Sequence, residues 1–200
     1  MIDRSRLVES ENISGLAALL KAARHRGLAP VERWDPRCCG DIGLKICADA
    51  TWVYRGSPIR REGLVTLFAS VLRKDADGRT YLVTPAEKID VGVEDAPFLV
   101  VEMEVQGRGK GQELIFRTNV DAIVCCGTEH PLQFSLQQRS GGLKPYVRVR
   151  GRLDGLVTRS LYYDHVALAV EEKRGGRSVL GLWSGGTFFA MQAYQRAVSK

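Results

Sequence analysis

Leu64, Leu67, Phe68, Val71 and Leu72 recur at i, i+3, i+4, i+7 and i+8, the apolar stripe of a helix packed on one face, and Asp77-Gly78 is its expected stop. A second stripe, Leu16, Leu19, Leu20 and Ala23, predicts an N-terminal helix capped by Ser14. Lys21, Arg24 and Arg26 crowd its C-terminal end, Gly27 closes it and Pro30 prevents its continuation. A third helix, of about 15 residues, is expected from Val157. Between the stripes the period falls to two. Strands are expected at 41–46 and 51–54, joined at Asp49-Ala50, and at 81–83 and 88–93, bent at Pro85. The clearest hairpin is 98–105 with 112–119, where Glu102 and Glu104 alternate against Val101, Met103 and Val105 around Gly107, Gly109 and Gly111; one of its faces is expected to be buried. Further strands fall at 122–125, 132–134 and 146–150, and two more near 178–183 and 187–191.

Strands and helices do not alternate as βαβ units, so the fold class is α+β with mainly antiparallel strands. The turn-prone Asp95-Ala96-Pro97 marks the expected boundary between domains 1–95 and 96–200, each with one packed helix. The halves also share a motif. Gly63-Leu64-Val65-Thr66 leads to Gly78-Arg79-Thr80-Tyr81-Leu82, and Gly155-Leu156-Val157-Thr158 leads to Gly176-Arg177-Ser178-Val179-Leu180, at offsets of 92 and 98 residues. This predicts one helix-turn-strand unit used twice, with Leu64 equivalent to Leu156 and Leu82 to Leu180.

Composition narrows the class. With 200 residues and 44% hydrophobic content the chain is expected to be a globular protein of one large or two small domains. The opening MIDRSRLVESEN has no apolar core of signal-peptide length, and no stretch approaches the roughly 18 apolar residues of a membrane span. The expected location is therefore the cytoplasm, with no membrane partner, and the five cysteines are expected as thiols.

The net charge of +6 is unevenly placed: Arg139, Lys144, Arg148, Arg150, Arg152 and Arg159 face only Asp154, a local charge of +5. In an extended segment 146–152, Arg148, Arg150 and Arg152 leave one face at intervals of roughly 6.5 to 7 Å. That face suits an acidic peptide or a phosphate backbone, and the alternative is a solvated face. Arg159, Tyr162 and Tyr163 follow immediately, and aromatic groups beside arginine mark recognition surfaces.

Other candidate chemistry reads as structural. Cys38-Cys39 and Cys125-Cys126 are vicinal, and neighbouring strand residues point to opposite faces, so neither pair is expected to chelate a metal. Cys38 beside Arg37 is the one candidate redox-sensitive thiol. His165 lies on the apolar stripe of its helix, where a hydrogen-bonded core histidine is expected rather than a general base. His25 and His130 read as a helix end and a loop, and Glu94-Asp95 as a turn. Gly107-Arg108-Gly109-Lys110-Gly111 is flanked by strands on both sides, whereas a phosphate cradle needs a following helix, so it reads as a flexible hairpin tip. No GxSxG, HExxH or Walker-type lysine is present, and neither a catalytic residue nor a cofactor is expected.

Taken together, CGDIGLKI from Cys39, TWVYRGSPIRREGLVTLFASVLRKD from Thr51, YLVTPAEKIDVGVEDAPF from Tyr81, FRTNVD from Phe116 and PYVRVRGRLDGLVTRSLYYDHV from Pro145 resemble the bacterial domain-of-unknown-function family 1285, from about Trp34 to the closing SGGTFF. The resemblance implies two related α+β domains from an internal duplication, the second superficially similar to pleckstrin-homology folds, with a binding surface between them and a role in signalling. It implies no established reaction, and the vicinal cysteines are not part of its motif. The leading expectation is a non-enzymatic binding or adaptor protein that takes a protein or peptide ligand in an interdomain groove lined by the arginine strand. A nucleic-acid-binding protein using the same arginines is the second reading and an enzyme of unknown type the third; oligomeric state is left open.

Overall fold

The computed structural model describes residues 29–137 and 142–191. The helix expected from Ser14 to Gly27 and Arg139 of the basic segment lie outside the described residues. The chain divides into two units, Met1–Asp95 and Ala96–Lys200.

In the first unit a 3-10 turn, η1 (Val31–Arg33), precedes β1 (Cys38–Ile46), β2 (Trp52–Tyr54), β3 (Ser57–Pro58), α1 (Glu62–Ser70), β4 (Leu72–Lys74), β5 (Thr80–Val83) and β6 (Lys88–Val93). The strands form one sheet in the order β3-β2-β1-β6-β5-β4, two antiparallel meanders joined where β1 runs parallel to β6. The two-residue period places Leu44, Ile46, Trp52, Leu72, Leu82, Ile89 and Val91 on one face, all buried. Helix α1 covers that face with Leu67 and Phe68, the Phe68 ring 5.8 Å from that of Trp52.

Helix α1 stops at Ser70, short of the expected Asp77-Gly78. Leu72, Arg73 and Lys74 instead pair with Leu82, Tyr81 and Thr80, and Asp75 to Gly78 form the turn of that hairpin. Gly78 at φ +82° and the Asp77 carboxylate accepting from the Arg79 amide at 2.9 Å hold the turn. Leu72 fits an apolar helical phase and an inward strand phase equally well, so the periodicity ran one turn too far.

The opposite face of this sheet carries charge. Arg73, 8% exposed, donates through Nη1 to the carbonyls of Val31 and Trp34 at 2.6 and 2.5 Å and through Nε to Asp75 at 2.6 Å. Lys88 Nζ reaches the second Asp75 oxygen at 2.5 Å and lies 4.0 Å from the Tyr81 ring centroid. The Tyr81 hydroxyl donates to Asp77 at 2.7 Å, and Arg79 pairs with Asp90. Burial alone would raise the Asp75 carboxyl, but hydrogen bonds from Arg73 and Lys88 outweigh it and hold the group below its ordinary value. One buried arginine thus ties the η1 segment to the sheet.

The second unit comprises β7 (Phe98–Gln106), η2 (Gly109–Gly111), β8 (Glu113–Thr118), β9 (Ile123–Cys125), β10 (Leu132–Leu136), β11 (Leu143–Arg150), β12 (Leu153–Val157), α2 (Arg159–Ala167), β13 (Val170–Arg174), β14 (Arg177–Ser184) and β15 (Thr187–Ala190). Its larger sheet has the order β10-β11-β12-β7-β8-β9, again two meanders joined by a parallel pair, β12 with β7. The expected 98–105/112–119 hairpin forms as β7 and β8, with a bulge at Val101. Its buried face is supplied by Leu114, Phe116 and Thr118 of β8 with Phe98 and Val100 of β7, while Val101 and Val105 are 40% and 38% exposed. A three-stranded sheet, β13-β14-β15, adds a second layer. Ser184 fastens it: its buried Oγ accepts from the Leu114 amide at 2.9 Å and donates to the Cys126 carbonyl at 2.7 Å.

The expected helical equivalence of the two halves does not hold. Leu64 lies in α1, whereas Leu156 lies in strand β12. A Cβ on Gly63 would meet nothing within 4 Å, while one on Gly155 would stand 3.2 Å from Val149 Cγ2 and 3.4 Å from Val100 Cγ2. The same four letters therefore serve a helix start in one unit and a packed strand in the other. Likewise α2 has nine residues rather than about 15, because Val170–Arg174 pairs with β14 across Gly175-Gly176. The molecule is strand-rich, with two α-helices among the described residues and two mixed sheets, consistent with the α+β class.

Two substitutions test this packing. Arg73→Met leaves two carbonyls and one Asp75 oxygen short of their donor, while Lys88 still pairs with the other, and is expected to reduce unfolding free energy by about 1–3 kcal/mol in urea titration; a change under about 0.5 kcal/mol would show the cluster to be a solvent-screened surface pair. Gly181→Ala places a Cβ 2.5 Å from the Phe188 ring and the Phe189 carbonyl oxygen, and is expected to cost about 1–3 kcal/mol.

Candidate binding surface

The basic strand folds as β11 with alternating burial, Pro145, Val147 and Val149 inward and Tyr146 and Arg148 outward. Arg148 is already engaged. Its Nε donates to Asp154 at 2.5 Å and Nη1 to the Gly151 carbonyl at 2.9 Å, with Asp154 directly opposite on β12. One step further the register slips: Arg148 pairs with Asp154 but Arg150 pairs with Leu153, so Val149 is an extra residue in the strand. A bulge of this kind re-aims the side chain beyond it. Arg150 consequently joins the face of buried Leu153, its guanidinium carbon 5.7 Å from the centroid of the buried Phe98 ring. Arg152 leaves the strand, occupying the exposed turn with Gly151 at φ +49°. The expected row of three guanidinium groups on one face therefore does not form, because a bulge and a tight turn break the two-residue period within five residues.

Arg159, Tyr162 and Tyr163 are placed on α2. Thr158, in extended conformation, starts the helix, and Arg159 and Tyr163 are one turn apart on its exposed side. Tyr163 is 60% and Val166 43% exposed; Val170, just beyond the helix, is 41% exposed. Tyr162 is half-buried, its ring 6.2 Å from that of Tyr163. Positions 159, 163 and 166 thus make an outward stripe of one cation, one aromatic and one β-branched side chain, with exposed Val170 following at the start of β13. Exposed apolar groups gathered at helical spacing differ from the single surface hydrophobes common on any protein.

The inward side of α2 is carried by His165, the buried residue of the helix, with no exposed surface. Its Nδ1 hydrogen is donated to the Leu161 carbonyl at 2.7 Å, which leaves Nε2 as the lone-pair nitrogen, buried and without a hydrogen-bond partner. The imidazole stacks on Phe116 of β8, centroids 5.5 Å apart and planes within 3°. Burial pushes its pKa below the ordinary histidine value, more than the Leu161 carbonyl and the Asp164 carboxylate raise it.

The family model for the N-terminal domain of unknown function DUF1285 matches residues 29–96, and that for the C-terminal domain of the DUF1285 proteins of unknown function matches residues 97–191. The chain belongs to the DUF1285 family. A crystal structure of a DUF1285 family protein from Silicibacter pomeroyi DSS-3 is similar at 40% identity over 88% of this chain and 94% of that chain, with a TM-score of 0.78. Another, from Shewanella baltica OS155, is 28% identical over 62% of this chain and 91% of that chain, with a TM-score of 0.49. No curated protein matches the chain.

Within this DUF1285 chain the remaining candidates resolve individually. Cys126 is buried against the Ser184 layer and its thiol is pushed up to about 12 by burial, while its neighbour Cys125 is exposed. Among the described residues no three His, Cys, Asp or Glu side chains form a metal-binding group, and no helix is long and apolar enough to cross a membrane. The glycine-rich turn is pinned rather than free. Lys110 lies 5.0 Å from the Trp183 ring centroid and 3.2 Å from Glu172, and Gln112 Nε2 donates to the Trp183 carbonyl at 2.8 Å. Trp183 in turn donates from Nε1 to Glu172 at 3.1 Å and packs against Phe188, with Arg174 over both rings. Sequence reading missed this cluster, although Trp183 and Phe188 flanking Gly185-Gly186 signalled a hairpin with facing aromatics.

The contrast between the arginines is measurable. Arg150→Ala is expected to lose about 1–2 kcal/mol of stability with its packing over Phe98, and Arg152→Ala less than about 0.5 kcal/mol. Equal melting temperatures for the two variants would contradict the inward placement of Arg150.

Proposed function

We propose that this protein is a cytoplasmic binding or adaptor protein that engages a protein or peptide partner through the outward stripe of α2, Arg159, Tyr163 and Val166, with Tyr162 and the first residue of β13, Val170, at its margin. The observation that supports this is the 60% exposure of Tyr163 beside half-exposed Val166 on a helix whose opposite side is anchored. Tyrosine and arginine supply large contact area and directed hydrogen bonds at little conformational cost, and dominate the energetics of protein interfaces. A protein partner is favoured over nucleic acid by the state of the basic strand: with Arg148 held by Asp154 and Arg150 laid over Phe98, the continuous cation row that a phosphate backbone follows is interrupted. The shared strand order of the two units supports an internal duplication at the level of topology.

The test compares wild-type protein with Tyr163→Ala in pull-downs from the native lysate, followed by affinity measurement on whatever the wild type retains. A protein or peptide that binds the wild type and binds the variant about ten- to thirtyfold more weakly at unchanged melting temperature is the expected result. Binding should also fall only modestly between 50 and 200 mM salt. Equal binding by both proteins, or retained nucleic acid with steep salt dependence, would overturn the reading.

A further inference from the structure

Helix α2 places one side chain in the core, and that side chain is titratable. His165 holds the helix to the sheet by stacking on Phe116, and the geometry works only for a neutral ring: Nδ1–H is committed to Leu161, while Nε2 is buried with no acceptor to receive a second hydrogen. We propose that protonation of His165 releases α2 from the sheet, so that α2 is a proton-sensitive latch controlling how its outward stripe is presented. The regulatory part of this inference rests on the reading of that stripe as a binding surface.

The charges around the ring do not offset the penalty. On β8 and β7 the residues sharing the ring's side of the sheet are Leu114, Phe116 and Thr118 facing Val105, Met103 and Val100, with Phe98 beyond them, all uncharged; the cation Arg150, 5.7 Å from the Phe98 ring centroid on that same face, opposes a second positive charge there. Glu102, Glu104 and Arg117 alternate with these and belong to the other face, where Glu102 and Arg117 pair with each other. On α2 itself the neighbouring Asp164 is the charge that acts on the imidazole, and it is exposed to solvent. A proton added at Nε2 therefore lies against an aromatic ring in an apolar layer, whereas in the released helix the same imidazolium is hydrated. The released state binds the proton more tightly than the docked state, so the docked state is fully favoured above the ordinary histidine value of about 6.5 and loses ground as pH falls below it.

Selective opening is expected because the rest of the unit has other anchors. The β13-β14-β15 layer is held by Ser184, Leu182 and Phe189, all buried and none titratable in this range. Hydrogen–deuterium exchange of the full chain at pH 7.5, 6.5 and 5.5, corrected for intrinsic exchange, reads the latch without any partner. The α2 amides are expected to lose protection by up to about tenfold for each pH unit below about 6.5, with β8 and β12 unchanged. In His165→Phe, which keeps an aromatic stack, α2 protection should be independent of pH. A chain carrying His25→Gln and His130→Gln should still respond, which assigns the effect to His165 even where the phenylalanine variant folds poorly. Constant α2 protection in the wild type, parallel loss in β8 and β12, or loss of the response in the His25→Gln, His130→Gln chain would each overturn the latch. Failure of the latch with Tyr163→Ala still weakening a partner at pH 7.5 leaves the binding surface standing; an intact latch with no effect of Tyr163→Ala removes the surface alone.

Discussion

The parallel seam between residues 98–100 and 155–157 organises the second unit. Two antiparallel meanders meet there, and the last strand of the second must lie flush against the first strand of the first. Gly155 eases the seam, since a Cβ there would stand 3.2 Å from Val149 Cγ2 and 3.4 Å from Val100 Cγ2, close enough that those side chains would have to shift. The seam also sets the position of the helix: β12 ends beside β7, and α2 begins two residues later with its inward side over Phe116. The first unit uses the same seam between β1 and β6 but inserts its helix between the meanders instead of after them. Its helix therefore covers the apolar face with Leu67 and Phe68, while α2 buries His165 fully and Leu161 and Tyr162 in part.

Much of the fold was legible because alternation and turn chemistry agree locally. The strands around 41–46, 81–83, 88–93 and 98–119 all form, as does a helix through Leu64, Leu67 and Phe68. The failures share one physical cause, which is that short apolar runs satisfy two periods at once. Leu72 is buried in either phase, and residues 168–170 continue the stripe of α2 until pairing with β14 takes them into a hairpin. The apparent repeat failed for a related reason: Gly-Leu-Val-Thr carries no information on whether its glycine opens a helix or fits a seam, and only the distant Val100 and Val149 decide it.

The arginine-rich segment shows the same limit at the level of the site. Alternating arginines in a β-prone run imply one charged face only while the register is uninterrupted, and a bulge is set by the partner strand rather than by the strand that carries it. Arg148 found Asp154 and Arg150 found Phe98, so two cations that looked available for a ligand are absorbed into the unit's own packing. Arg73 in the first unit is an extreme of the same habit, with all of its observed hydrogen bonds made inside the protein. Local charge density in this chain therefore overstates surface charge.

What remains for recognition is the element with the weakest attachment. Six- and three-stranded layers interlock through many buried apolar side chains, whereas α2 buries only His165 fully and adds the half-buried Leu161 and Tyr162. Local stability follows the amount of buried surface, so α2 belongs among the first parts of the unit to open. A helix that exposes Tyr163 and Val166 while resting on one titratable anchor combines a contact surface with a low barrier to repositioning. That combination is costly for a purely structural element, because His165 stabilises less as a neutral ring with an unmet nitrogen than leucine of similar volume would. The choice of histidine at the one buried position of α2 is thus a feature that packing alone does not explain.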